Sequence, residues 1–190
     1  MLLTTIAVSL GLLQCKVPDP APTLRERSIA LVKSLDPRLR GEWSVQQVQV
    51  NHKELGYYAS PPNPTITKDT VLSNLATIRL QPASTADRRR PSDDELAEYT
   101  GTIEYKNRFY SIYASLMAGP SRSTNQPDLQ GYVFLMLDPK SSAEFGPDKD
   151  YLSGVGIVND NYIIDLSTDQ ATMTWQGLNR ATRSATLKKR

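Results

Sequence analysis

The sequence predicts an all-β protein, an antiparallel barrel or sandwich that carries one helix near its N-terminal side. Three observations predict this class. About eight to ten short segments alternate apolar with polar residues between turn signals, as hairpin-connected strands do. Helical periodicity is strong in one segment only. The 190 residues are 39% hydrophobic, and the single cysteine leaves one apolar core to hold the fold.

The helix is predicted over residues 23–35. Thr23 is a suitable N-cap, and Glu26 stands three residues later, at the spacing of a capping box. The apolar residues that follow lie on one side of the helix, away from most of the charged ones. Because a proline disfavours helical geometry in the residue before it, Asp36-Pro37 predicts the end of the helix.

The first strand is predicted over residues 42–50. Its apolar residues change parity after Val45, so a β-bulge near Gln46-Gln47 is needed to keep them on one face. A turn at 51–54, a stiff loop at Pro61, Pro62 and Pro64, and a second strand at 70–80 follow.

Hairpins account for most of the remaining chain. Residues 101–105 and 109–117 predict one hairpin, and residues 153–158 and 162–166 predict another. The segment 131–137 is apolar after its glycine, so both its faces must be covered, and the helix is the expected outer cover. The other elements are a turn at 92–99 with Ser92 and Glu95 at capping-box spacing, a polar loop at 119–130, and strands at 172–176 and 185–188.

The first residues predict export. Residues 1–14 are uncharged and mostly apolar, a run too short to span a bilayer but long enough for a signal-peptide core. At Cys15 the composition changes to a proline-rich stretch, residues 15–23, typical of an extended tether. The alternative is a buried N-terminal helix with an incidental cysteine.

Leu12-Leu13-Gln14-Cys15 resembles the lipobox of bacterial lipoproteins. The resemblance implies cleavage before Cys15 and lipidation of its thiol, with palmitate as one acyl group. It places the protein in the bacterial cell envelope, anchored to the outer membrane on its periplasmic or surface side. Residues 24–190 are then the folded domain.

Gly41-Glu42-Trp43 resembles the G-x-W motif of lipocalins and their calycin relatives. The glycine lets the chain bend into the base of a barrel, and the indole plugs that end. The resemblance implies a lipocalin-like antiparallel barrel of about eight strands with one open mouth. It also implies that a basic residue near the last strand packs across Trp43. The candidates are Lys188, Lys189 and Arg190.

Tyrosines on the predicted strands are candidates for a ligand-binding wall, because they offer an apolar ring with a polar tip. Arg79 and Arg108 are the candidate cations for an anionic headgroup. The alternative is that the tyrosines are core or exposed strand residues with high β propensity. The candidate tyrosines are Tyr105, Tyr110, Tyr113 and Tyr132, and Tyr162 lies on a further strand.

The sequence shows no catalytic constellation. His52 is the only histidine and is expected to be a solvated turn residue, so an ordinary zinc site and two-histidine chemistry are excluded. Neither acidic cluster, 93–95 or 148–150, has the spacing of a calcium loop, and helix-cap and solubility roles are expected. Phosphate loops and nucleophile elbows are absent. We therefore predict a protein without catalytic activity, cofactor or metal.

Two function classes remain. The first is a tethered barrel that binds a small apolar or amphiphilic ligand, and the second is an envelope protein with a filled barrel and a partner surface. The barrel interior discriminates between them, since an apolar cavity favours the first and a packed interior the second. The net charge of +2 gives no reason to expect nucleic acid. The predicted contacts are the membrane, through Cys15, and either a hydrophobic ligand or an envelope protein.

Overall fold

A computed structural model of the chain describes residues 21–55, 66–90, 94–121, 128–138 and 146–190. Its eight strands form one closed antiparallel barrel in chain order, which confirms the predicted all-β, lipocalin-like barrel with an N-terminal helix. The elements are α1 (Leu24–Leu39), β1 (Gly41–Val50), a 3₁₀ turn (His52–Glu54), β2 (Thr70–Pro82), β3 (Leu96–Tyr105), β4 (Arg108–Pro120), β5 (Leu129–Leu137), α2 (Gly146–Val155), β6 (Asp160–Leu166), β7 (Thr172–Gly177) and β8 (Thr182–Lys189).

Each strand pairs with the next, and β8 returns to pair with β1, so these strands leave no edge unpaired. The register of β1 shifts between Val45 and Gln47 against both neighbours. This is the predicted bulge, and it keeps Trp43, Val45, Val48 and Val50 buried on the inner face. The hairpin predicted from residues 101–105 and 109–117 is confirmed, with a turn of two residues, Lys106-Asn107, that both have positive φ.

Large side chains fill the barrel. Inner-face residues alternate with outer-face residues along the strands, except at the bulge in β1, so every strand contributes several side chains to the interior. Removing these apolar groups from water is the main stabilising contribution to the fold. The largest fully buried side chains are Trp43, Trp175, Tyr99, Tyr162, Leu39, Ile78, Ile103, Ile112, Leu116, Leu135 and Leu152.

Trp43 joins the first strand to the helix before it. Its side chain is fully buried, as predicted, and its Nε1 donates a hydrogen bond of 2.9 Å to the carbonyl oxygen of Leu39. The Nζ of Lys189 lies 5.4 Å from the ring centroid, so Lys189 is the basic residue that crosses the indole. Gly41 has a φ of 110°, a conformation that suits glycine and turns the chain from helix into strand.

The predicted capping box of Thr23 and Glu26 is present, but the predicted end of α1 is wrong. The helix continues through Pro37 to Leu39. Tertiary contacts hold this last turn, because Leu39 is fully buried and its carbonyl oxygen accepts the indole proton of Trp43. These contacts outweigh the local cost of a proline near a helix end.

α1 closes one end of the barrel, called here the α1 end. It contacts four parts of the wall, through Trp43 on β1, Tyr99 on β3, Gly131 on β5 and Ser167 after β6. A Cβ on Gly131 would meet the side chain of Leu35, so the helix faces the inner side of β5. The prediction that the helix covers the outer face of β5 is therefore wrong.

α2 is the second correction, since residues 153–155 were expected in a strand. Leu152 and Val155 lie on one helical face and are fully buried. Gly156, with a φ of 88°, ends the helix, and the amides of Gly156 and Ile157 both bond the Leu152 carbonyl. The strand partner in that predicted hairpin, residues 162–166, lies within β6 as expected.

Three other expectations concern loops. The turn predicted at 92–99 is wrong from Leu96 onward, because that segment pairs with β4 from Leu96 opposite Met117. The loop predicted at 119–130 is shorter, since Gly119 pairs with Gln130. Ser92 and the prolines at 61–64 lie outside the described residues, as do Cys15 and the predicted signal segment.

Candidate functional site

α2 closes the other end of the barrel, called here the α2 end. The hydroxyl of Thr182 on β8 donates to the carbonyl of Val155, and the ring of Tyr151 stacks on Tyr105 of β3 at a centroid distance of 5.6 Å. A third contact runs from Asp148 to Tyr110 of β4. Helices therefore lie across both ends of the described barrel.

Asp148 is the centre of a polar cluster at the α2 end. Its side chain is only 10% exposed, and its Oδ2 accepts a hydrogen bond of 2.6 Å from the hydroxyl of Tyr110. Two cations from the β3–β4 turn complete the cluster. The Nζ of Lys106 lies 3.4 Å from Oδ1, and Nη1 of Arg108 lies 3.6 Å from Oδ2.

The cluster stabilises the charged form of Asp148. The hydrogen bond from Tyr110 lowers the pKa of the Asp148 carboxyl below its usual value of 3.8, with a further contribution from Lys106 and Arg108. Burial raises the pKa of the Tyr110 phenol, which stays a hydrogen-bond donor at neutral pH. These groups fasten α2 to the β3–β4 hairpin and leave the carboxylate oxygens occupied.

Tyr105 and Tyr110 face the interior, but the expectation that Tyr113 and Tyr132 line it is wrong. Both lie at outward-facing positions by strand parity, and Tyr113 is nonetheless only 6% exposed. The hydroxyl of Tyr113 donates to Glu98, and the guanidinium of Arg89 lies 4.3 Å from the Tyr113 ring. The hydroxyl of Tyr132 bonds a backbone carbonyl on β4.

Arg79 and Arg108 do not converge on the interior either. Arg79 faces outward from β2, bonds the carboxylate of Glu42 at 2.8 Å and lies 5.8 Å from the ring of Phe109. Arg108 belongs to the Asp148 cluster and its side chain is 69% exposed. The six candidate ligand residues are thus divided between one end of the barrel and its outer wall. Their predicted binding of a ligand stays a prediction.

His52 lies at the α2 end in the turn that follows β1. Its Nδ1 is 2.8 Å from the carboxylate of Asp69, and that carboxylate lies 3.5 Å from Arg183. The pKa of Asp69 is lowered chiefly by its hydrogen bonds from His52. The pair joins the two ends of the long β1–β2 connection.

Two buried side chains on described barrel strands have a polar atom without a partner: Asp160, which sequence reasoning missed, and Trp175, whose inward position the strand pattern predicted. Asp160 is 1% exposed, and burial raises the pKa of its carboxyl. Its Oδ1 accepts hydrogen bonds from the Asn161 amide and the Asn179 side chain, whereas its Oδ2 has no partner among the described residues. The indole nitrogen of Trp175 is likewise buried without a partner there.

Asp148 and Tyr151 are the other residues that the sequence did not single out for this site. The only local signal for the α2 end was the spacing of Tyr151, Leu152 and Val155, which is helical. This helical spacing covers too few residues to outweigh the strand pattern of residues 153–158.

The described residues contain no group of three acidic, histidine or cysteine side chains arranged to hold a metal ion. Neither helix among them has the length and apolarity that crossing a membrane requires. In the part of the chain that the structure describes, fold and packing define a small closed β-barrel with large side chains packed in its interior and a helix over each end. Comparisons of the chain with protein-family models, curated proteins and solved structures found no match.

Proposed function

We propose that the chain is a non-catalytic interaction protein of the bacterial cell envelope, held by a lipid on Cys15 and presenting its outer barrel wall to a partner. The packing of the interior is the observation that carries the proposal. A barrel of about eight strands has room either for side chains or for one small ligand. Here Trp43, Trp175, Tyr99 and Tyr162 are fully buried inside it.

The packing favours this role over a ligand-binding barrel. The rings of Tyr162 and Trp175 lie 5.0 Å apart in the interior, where a ligand of comparable size would have to displace one of them. Displacing a packed aromatic ring costs several kcal/mol, about 3–5 for a deletion to alanine. The helices over the two ends, α1 and α2, add a further barrier to entry.

The anchoring part of the proposal rests on the sequence. An apolar, uncharged run ends at Cys15, and a proline-rich stretch leads from there to α1 at Leu24. Nine extended residues reach at most about 30 Å, so the barrel would stay close to the membrane surface. The two parts of the proposal can be tested separately.

We expect the protein, isolated from its own bacterial envelope in mild detergent, to carry no apolar ligand beyond its own lipid in native mass spectrometry. A parallel thermal-shift screen with fatty acids, isoprenoids and haem-like compounds should leave the melting temperature unchanged. A saturating interior ligand at a hundred times its dissociation constant would instead add about 2.7 kcal/mol to the free energy of unfolding. A stoichiometric apolar molecule in the native spectrum that also raises the melting temperature when it is added back would overturn the filled-barrel role.

We expect the variant Cys15→Ser to lose membrane association, because its hydroxyl cannot accept the thioether-linked lipid. Detergent phase partition of the wild type and the variant measures this directly, with the wild type in the detergent phase and the variant in the aqueous phase. The variant should keep the wild-type melting temperature, since the lipid lies outside the core. Equal partition of the two proteins would remove the anchor from the proposal.

A further inference from the structure

A groove of about 500 Å³ lies on the outer wall of the barrel, where β8, β1, β2 and the β3–β4 turn meet. Its floor is one cross-strand row, in which Lys188 lies opposite Ser44, Ser44 opposite Thr77, and Thr77 opposite Glu104. Strand spacing makes this row about 14 Å long. Two small hydroxyl residues in its middle make the wall concave there.

The bulge in β1 shapes one side of the groove. Four residues of β2, Ser73 to Ala76, lie opposite the three residues of β1 from Val45 to Gln47, and Asn74 takes a φ of 50° there. The ion pair of Glu42 with Arg79 stands in the next row toward the α1 end. A β-bulge bends a strand and redirects its side chains. The bulge that keeps the inward-facing residues of β1 in the core therefore also shapes the groove on the outer wall.

The lining has a consistent chemistry. Hydroxyls of Ser44 and Thr77 and side-chain amides both donate and accept hydrogen bonds, as sugar hydroxyls do. Four basic residues and one acidic residue line the groove, which makes it electropositive. The amides belong to Gln46, Asn74 and Asn107, and the charged residues are Lys106, Lys188, Lys189, Arg190 and Glu104.

The charges are not equally available. Lys106 is held by Asp148, Arg190 by Glu42, and Lys189 lies across the indole of Trp43. Lys188 is exposed and has no carboxylate partner within the part of the chain that the structure describes. It is therefore the cation that an anionic ligand would meet.

We propose that this groove binds a saccharide that carries acidic groups. The ligand's acid would pair with Lys188, its hydroxyls would bond Ser44, Thr77 and Glu104, and a sugar face would pack on Phe109. That ring lies opposite Glu104 at the end of the row and is 58% exposed. This inference rests on the proposed interaction role, because it names the chemistry of the partner.

Other partner classes fit the groove less well. A peptide cannot add as a further strand, because β8, β1, β2 and β3 are all paired on both sides in the closed barrel. Leu75 and Ala76 are the apolar side chains of the lining, too few to anchor a lipid chain or an apolar protein surface. The charge and the hydroxyl floor favour an acidic saccharide.

The test is a calorimetric titration of the full chain in detergent with hexagalacturonate, with neutral maltohexaose and a hexaglutamate peptide as comparison ligands. We expect Lys188→Glu to weaken hexagalacturonate binding at least about tenfold, since an ion pair becomes a repulsion. Lys53→Glu makes the same charge change on an exposed turn outside the groove, and its affinity should match the wild type.

The variant Ser44→Arg separates shape from charge. It fills the middle of the groove while adding a positive charge, so we expect it to weaken binding about as much as Lys188→Glu does. Unchanged or tighter binding by Ser44→Arg would show diffuse electrostatic attraction and overturn the site. Equally tight binding of hexaglutamate would replace the saccharide with an acidic protein segment. Either result leaves the filled barrel standing, because native mass spectrometry tests that role independently.

Discussion

Truncation of Trp43 to alanine should lower the free energy of unfolding by about 3–5 kcal/mol, the usual cost of deleting a buried core aromatic. The indole is fully buried, bonds the Leu39 carbonyl and carries Lys189 across its face. The loss combines a cavity in the barrel with an unsatisfied carbonyl at the end of α1. Urea unfolding followed by circular dichroism and by the fluorescence of Trp175 measures it.

Phe109→Ala is the matched control for Trp43→Ala. It deletes another aromatic ring, but one that is 58% exposed on the outer wall, so we expect a change within about 0.5 kcal/mol. If both variants unfolded at the wild-type urea concentration, Trp43 would not belong to the core that the barrel is built around. The lipocalin resemblance would then lose its main support.

Replacement of Asp148 by alanine should destabilise the protein by about 1–3 kcal/mol at neutral pH, because it leaves the buried Tyr110 hydroxyl without its acceptor. The helix α2 would also lose its link to Lys106 and Arg108. We expect faster hydrogen exchange in α2 and at the end of β3 than in β7, which lies far from the substituted residue. Urea unfolding and amide exchange check the two effects.

The stability difference between the wild type and Asp148→Ala should depend on pH. The folded-state pKa of Asp148 lies below its usual 3.8, so its contribution is complete above that value and is lost as the pH falls toward the folded-state pKa. Asp150→Ala is the control, since Asp150 lies exposed on the same helix. A difference that stays constant down to strongly acidic pH would contradict the role of the Asp148 carboxylate.

Some features of the fold could be predicted because their cause is local. Alternation places every second residue of a strand on one face, and a change of parity within β1 requires one extra residue, which is Gln46 in the pairing with β8. The capping box of Thr23 and Glu26 satisfies amides within one helical turn. The burial of Trp43 was implied by the resemblance of Gly41-Glu42-Trp43 to the lipocalin G-x-W motif.

Other features could not be predicted because their cause is distant in sequence. Leu39 stays helical beyond Pro37 because β1 supplies its hydrogen-bond partner. α2 forms because the end of the barrel offers a surface for Leu152 and Val155. Local propensity for a short segment is worth less than the burial of two apolar side chains.

The fold and the candidate site together show which features have a local cause and which depend on residues distant in sequence. The sequence by itself predicted an antiparallel all-β fold with a capped helix and a bulged first strand, and the lipocalin resemblance implied a barrel with a buried Trp43. Only the tertiary structure decided that Tyr113 faces outward, that the interior is filled, and that Ser44, Thr77 and Lys188 share one groove. The physical reason is that alternation sets which residues of a strand share a face. Which face lies inside, and which strands are neighbours, depends on closure of the whole sheet.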